Sequence, residues 1–119
     1  LSALRAAPGW PLAPRPVRSD ELLPERALAG DGHARRHLVD ELYVPLMQAR
    51  ETLIETIATY FEHGSSIEAT ARALFVHPNT VRYRLRQAAE LTGFSATDAR
   101  DAFTLKIALV LGRLSGRTL

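Results

Sequence analysis

The chain has 119 residues, 46% hydrophobic and 24% charged, with a formal net charge of +2, a composition suited to one domain with a modest core rather than a disordered tail or a fibre. It has no cysteine, which excludes disulfide frameworks, thiolate zinc sites and cysteine nucleophiles. No apolar run approaches the roughly 20 residues of a membrane span, and the opening Leu1-Ser2-Ala3-Leu4-Arg5 does not read as a signal peptide. The expected compartment is the cytoplasm, and a start at Leu1 predicts a piece of a longer or processed protein.

In residues 1–18, Pro8, Pro11, Pro14 and Pro16 prevent a continuing helix, and Gly9-Trp10 suggests a turn with one hydrophobic anchor. This segment reads either as a linker, or the last piece of a preceding domain, or as a flexible tail. Residues 19–63 read as a helical lead-in. Ser19-Asp20 can cap a short helix to about Leu28, with Pro24 early in it and Gly30 ending it. Asp31 caps a second helix carrying Leu38, Leu42, Tyr43 and Leu46, bent near Pro45. A third, about 48–63, buries Leu53, Ile54, Ile57, Tyr60 and Phe61, and Gly64 stops it; His63, at its end, is placed to meet the terminal carbonyls.

Residues 64–119 carry the clearest punctuation. Ser65 and Glu68 read as a capping box that starts a helix to about Leu74. Phe75-Val76-His77 makes a tight connection, and Pro78 opens a helix that runs through Leu91 and closes at Gly93. Val81-Arg82-Tyr83-Arg84-Leu85 alternates like a strand, but Arg86-Gln87-Ala88-Ala89-Glu90-Leu91 follows without a break in strong helix formers. Helix prevails. A last helix, about 98–114, sets Phe103, Ile107, Val110, Leu111 and Leu114 on one face, and Leu105, Ala108 and Leu109 widen that face, so burial on two sides is expected. Residues 31–63 are expected to supply most of its cover. The fold class is all-α, a compact helical bundle.

Of the 15 basic residues only Lys106 is lysine, so arginine number alone says little. Their distribution says more. Between Ala69 and Ala89 there is no carboxylate, while Arg72, Arg82, Arg84, Arg86 and His77 all fall inside. Glu51, Glu55, Glu62 and Glu68 crowd the preceding stretch, which has no Lys or Arg. A local basic stripe on a nearly neutral domain suits a polyanion. Two helices joined by a three-residue turn match helix-turn-helix geometry, with Ala71, Leu74, Val76, Val81 and Leu85 shared as one core. At about 100° per residue, Leu85, Ala88 and Thr92 fall near Val81. Asn79, Tyr83, Arg86 and Glu90 face the other way, with Arg82 and Gln87 at the shoulders and Arg84 nearer the core boundary. Such residue types read base edges and hold phosphates, and free N–H groups at the helix start are expected to add a phosphate site.

The run from Ser66 to Leu85 resembles the C-terminal helix-turn-helix domain of the PucR/CdaR family of bacterial transcriptional regulators. The specific part is His77, Asn79, Thr80, Val81, Tyr83, Arg84 and Leu85. Glu90-Leu91-Thr92-Gly93 and the upstream Leu23-Pro24-Glu25-Arg26-Ala27-Leu28-Ala29-Gly30-Asp31 are also similar to the family. The resemblance covers about residues 20–114. It implies a Fis-like, all-helical DNA-binding module at the end of a longer protein, with sensory domains before residue 1 and any effector bound there. Phe75 departs from the general helix-turn-helix pattern, which often has glycine at that position.

The expected function is sequence-specific binding of double-stranded DNA, with helix 78–91 in the major groove and the helix from Ser66 crossing the backbone. The expected contacts are Ser66, His77, Asn79, Thr80, Arg82, Tyr83, Arg84 and Arg86. A homodimer in the full-length protein is expected, because a single short recognition helix reads few base pairs. The other reading is a helical module whose arginine face meets an acidic partner or the regulator's own sensor domain. His33 and His37, four apart near Asp31, Asp40 and Glu41, read as surface rather than as a metal site. No nucleophile elbow, phosphate-cradling glycine loop or dinucleotide fingerprint occurs, so neither an enzyme nor a cofactor is expected.

Overall fold

Asp31 sets the start of the second lead-in helix by a local competition for backbone donors. Its side chain accepts from the N–H groups of His33 and Ala34 at 2.9 and 3.2 Å, which satisfies two donors that a helix start leaves unpaired. The computed structural model describes residues 22–49 and 51–115. Within them lie α1 (Leu23–Leu28), α2 (Gly32–Leu38), a π-helical turn (Val39–Tyr43), α3 (Val44–Ala49), α4 (Glu51–Glu62), α5 (Ile67–Leu74), α6 (Pro78–Thr92) and α7 (Ala99–Leu114). Every regular element among the described residues is helical, and none is long and apolar enough to cross a membrane. The expected Ser19-Asp20 cap and the irregular segment 1–18 lie outside the described residues.

The bend expected near Pro45 is the π-helical turn just before it. Pro45 has no N–H to give the Glu41 carbonyl, and its ring crowds that carbonyl in a regular helix. The chain widens instead, and the Val44 N–H reaches back five residues to the Val39 carbonyl. Leu42, Tyr43 and Leu46 thereby join Leu38 and Ala34 in the interior.

One apolar cluster runs from Leu23 to Leu109 and joins the lead-in to the later helices. At its polar edge, buried Glu25 of α1 takes a two-pronged hydrogen bond from the Arg100 guanidinium of α7. Arg26 closes the α1–α2 corner on Asp31, Nε to Oδ2 at 3.0 Å. Charge-assisted hydrogen bonds of this kind are stronger than neutral ones, and the two-pronged Arg100–Glu25 pair is also directional.

The last helix buries Leu105, Ala108 and Leu109 as expected but leaves Val110 and Leu114 of the expected face in solvent. Its interior face is Ala102, Leu105, Ala108, Leu109 and Gly112; Val110 is 50% exposed and Leu114 77% exposed, while Phe103, Ile107 and Leu111 are half-buried. Both faces of α7 are apolar, so pattern alone does not say which of them lies deepest. Contact distance decides the matter. The small residues let α7 come close to the lead-in, and the Tyr43 ring lies so tightly on Gly112 that a Cβ there would overlap it. Residues 31–63 supply much of the cover through α2 and the π-helical turn, as expected, and α1, which lies before them, also packs on α7.

Gly112→Ala should therefore destabilise the fold by at least about 1–3 kcal/mol through overpacking. Gly32→Ala meets only the flexible end of Arg36 and should be close to neutral. Paired thermal melts check this; equal midpoints for the two variants would contradict the packing described.

Candidate nucleic-acid interface

α5 begins on Ser66, whose Oγ accepts from the Ala69 N–H at 3.0 Å. The capping residue is thus one position later than the expected Ser65–Glu68 box. Ser65 is consumed in ending α4: it follows Gly64 into positive φ (60° after 67°), and its N–H bonds the Tyr60 carbonyl at 2.9 Å. The same helix end engages His63, whose Nδ1 lies 2.9 Å from the Thr59 carbonyl, as expected. Glu68, freed from capping, sits 3.7 Å from Arg82 of α6.

Between α5 and α6 the chain turns on Phe75, which adopts the left-handed conformation (φ 57°, ψ 44°). The Val76 N–H closes the turn on the Ala71 carbonyl at 3.0 Å, and Phe75 bonds Arg72 at 3.3 Å. This is the usual left-handed helix ending, made here with a residue whose Cβ makes it unfavourable by about 1–2 kcal/mol. The side chain is 94% exposed.

His77 caps α6. Its Nδ1 accepts from the Asn79 N–H at 2.9 Å, and its carbonyl accepts from Thr80 and Val81 at 2.9 and 3.4 Å. Pro78 contributes no N–H. The expected phosphate site of free backbone donors is therefore absent here: the first donors of α6 are all used within the chain. With Nδ1 accepting, the ring's N–H is Nε2, on an exposed side chain.

Val81, Leu85 and Ala88 are buried and fix the rotation of α6; Asn79, Arg82, Tyr83, Arg86 and Glu90 are exposed. Arg82 Nη1 donates to Asn79 Oδ1 at 2.9 Å, and Gln87 Nε2 donates to the Tyr83 hydroxyl at 3.1 Å. Thr80 and Ser66 are half-buried at the margins. Arg84 stands apart from this group. It is half-buried, and Nη1 donates to Thr56 of α4 at 3.3 Å, which ties α6 to the bundle.

Ser95 and Thr97 join the site without a local signal in the sequence. They line a groove of about 220 Å³ with Arg82, Arg86, Ile67, Leu85 and Ala89, and their hydroxyls lie 2.9 Å apart. The loop is held by Asp101, which accepts from the Ser95 N–H at 3.1 Å. Two hydroxyls in a short loop are common; only the fold brings them beside two guanidinium groups. Elsewhere, His33 and His37 are exposed, and no three His, Asp or Glu side chains come together as a metal-ligand set among the described residues.

Residues 53–111 match the family described as the PucR C-terminal helix-turn-helix domain. The chain is 50% identical over 115 residues to an uncharacterized protein of Mycobacterium tuberculosis, covering 97% of this chain and 28% of that one. It is 35% identical over 85 residues to the carbohydrate diacid regulator of Escherichia coli, 71% of this chain and 22% of that protein. The crystal structure of a regulator of polyketide synthase expression from Bifidobacterium adolescentis superposes with a TM-score of 0.89 at 50% identity, over 96% of this chain and 46% of that chain. The chain thus spans under a third of the Mycobacterium tuberculosis and Escherichia coli proteins and under half of the Bifidobacterium adolescentis chain.

Val81→Asp places a carboxylate with no partner in the shared core of α5 and α6, which costs several kcal/mol. The variant should lose its cooperative melt, whereas Tyr83→Asp, on the exposed face, should melt close to wild type. Helical circular dichroism with temperature checks both.

Proposed function

Residues 53–111 are a PucR C-terminal helix-turn-helix domain, and on that basis we propose that the chain binds double-stranded DNA sequence-specifically as the output module of a bacterial transcriptional regulator. α6 enters the major groove and α5 crosses the backbone. The observation that carries this reading is the exposed quartet Asn79, Arg82, Tyr83 and Arg86 set opposite a fully buried stripe. Arg86 suits a guanine edge, and Asn79 suits adenine, with one lone pair of Oδ1 already engaged by Arg82. Ser66, His77 and Thr80 flank the groove as phosphate contacts, and Arg84 acts by holding α6 on Thr56. The chain works in the cytoplasm, carries out no reaction of its own, and leaves effector binding to other parts of the full-length protein.

Selection of sites from random duplex DNA with the 119-residue chain supplies the probe. Arg82→Ala and Arg86→Ala should each weaken binding to the selected site by about 1–3 kcal/mol, with melting temperature unchanged. Binding of wild type should fall log-linearly with salt as phosphate contacts release counterions. A double variant that binds normally would remove α6 from the interface. Weak salt dependence would instead favour a mixed protein interface with an acidic partner.

The regulator acts as a homodimer, which presents two copies of α6 to successive turns of DNA. Exposed Val110 and Leu114 on α7 favour this, and Leu114 lines a groove of about 290 Å³ together with Val39 and Leu111. Sedimentation over a wide concentration range should show self-association that Val110→Arg abolishes. A strictly monomeric wild type would move the dimer contact away from this helix.

A further inference from the structure

Phe75 is unfavourable to the fold on two independent counts. Its ring is 94% exposed and takes part in no aromatic or cation–π contact among the described residues. Its backbone lies at φ 57°, ψ 44°, where glycine, with no Cβ, or asparagine, whose short side chain can hydrogen-bond locally, would make the same helix ending at lower cost. Neither packing nor turn geometry calls for phenylalanine here. Residues held against their local preference cluster at functional sites.

The location says which function. Phe75 directly follows α5 and stands two residues before His77, the cap of α6. It therefore lies at the junction of the two helices that the DNA-binding reading sets against the duplex. The other exposed groups there, His77, Asn79, Arg82 and Arg86, offer hydrogen bonds and charge. A duplex also presents apolar surface, in the thymine 5-methyl group of the major groove and in the deoxyribose edge beside it.

We infer that Phe75 is a DNA-contacting residue whose ring makes an apolar contact with a thymine methyl or a deoxyribose at the rim of the groove that α6 enters. The inference rests on the DNA-binding reading above. It assigns to the turn a share of recognition separate from the polar face of α6.

The test uses the 119-residue chain and the duplex it selects from random DNA, made once with thymine and once with deoxyuridine throughout. Phe75→Gly and Phe75→Asn should melt at or above the wild-type temperature yet bind the thymine duplex about 5- to 10-fold more weakly, the loss of roughly one small apolar contact. If deoxyuridine weakens wild type but not the variants, the contact is the methyl group; if the variants lose equally on both duplexes, it is the sugar. Either outcome supports the inference. Wild-type affinity in both variants, with Arg82→Ala still impaired, would overturn it while leaving the DNA-binding reading in place. Weak binding together with a lowered melting temperature would also overturn it, by making the ring part of the fold. Unchanged self-association in the variants is expected; its loss with DNA affinity intact would assign the ring to a protein contact and overturn the inference as well. Normal binding by Arg82→Ala and by the Phe75 variants alike would remove the DNA-binding reading and this inference with it.

Discussion

Three side chains, Val81, Leu85 and Ala88, fix the rotation of α6 about its own axis. They recur at four- and three-residue intervals, so they form one narrow stripe, and burying that stripe leaves no choice about which residues face out. Ala71 of α5 is small and buried on the other side of the joint, so the two helices come close. Arg84 adds a second point of attachment through Thr56, on a different flank of the helix. An exposed polar face alone would be unremarkable on any surface helix. Here its direction is set by the core.

The lead-in belongs to the same physical unit. The pair of buried Glu25 with half-buried Arg100 and the Tyr43–Gly112 contact connect α1 and the π-helical turn to α7. An ion pair with one member at 7% exposure is costly to break from one side, because the remaining charge is left without a partner. The close approach at Gly112 explains why the inward face of α7 is built from alanine and glycine as much as leucine.

Much of this could be read from residue order, because the deciding forces were local. Asp31, Pro78, Gly93 and the Val81–Leu85–Ala88 spacing each act within a turn or two of helix, and the structure agrees at each. Other features depend on distant partners. Ser65 looks like a cap until the ending of α4 is seen to need it. The bulky face of α7 looks like a core face until Tyr43 is placed on Gly112. Ser95 and Thr97 have no pattern at all, and their nearness to Arg82 and Arg86 exists only in three dimensions. Helix rotation places Arg84 at the boundary of the core, but its attachment to Thr56 spans 28 positions of sequence.

The closed start of α6 has an evolutionary consequence. His77 and Pro78 leave none of the first backbone donors of that helix unclaimed. Apart from replacement by proline, substitution leaves a backbone donor in place, so a domain that gripped its ligand through such donors would keep much of that grip as its sequence changed. If α6 is the recognition helix, as proposed, what its start offers a ligand resides in side chains on a rigid support. Each of those can be exchanged in a single mutational step without disturbing the Val81–Leu85–Ala88 stripe, so descendants of one ancestor can diverge in preference while inheriting the same scaffold.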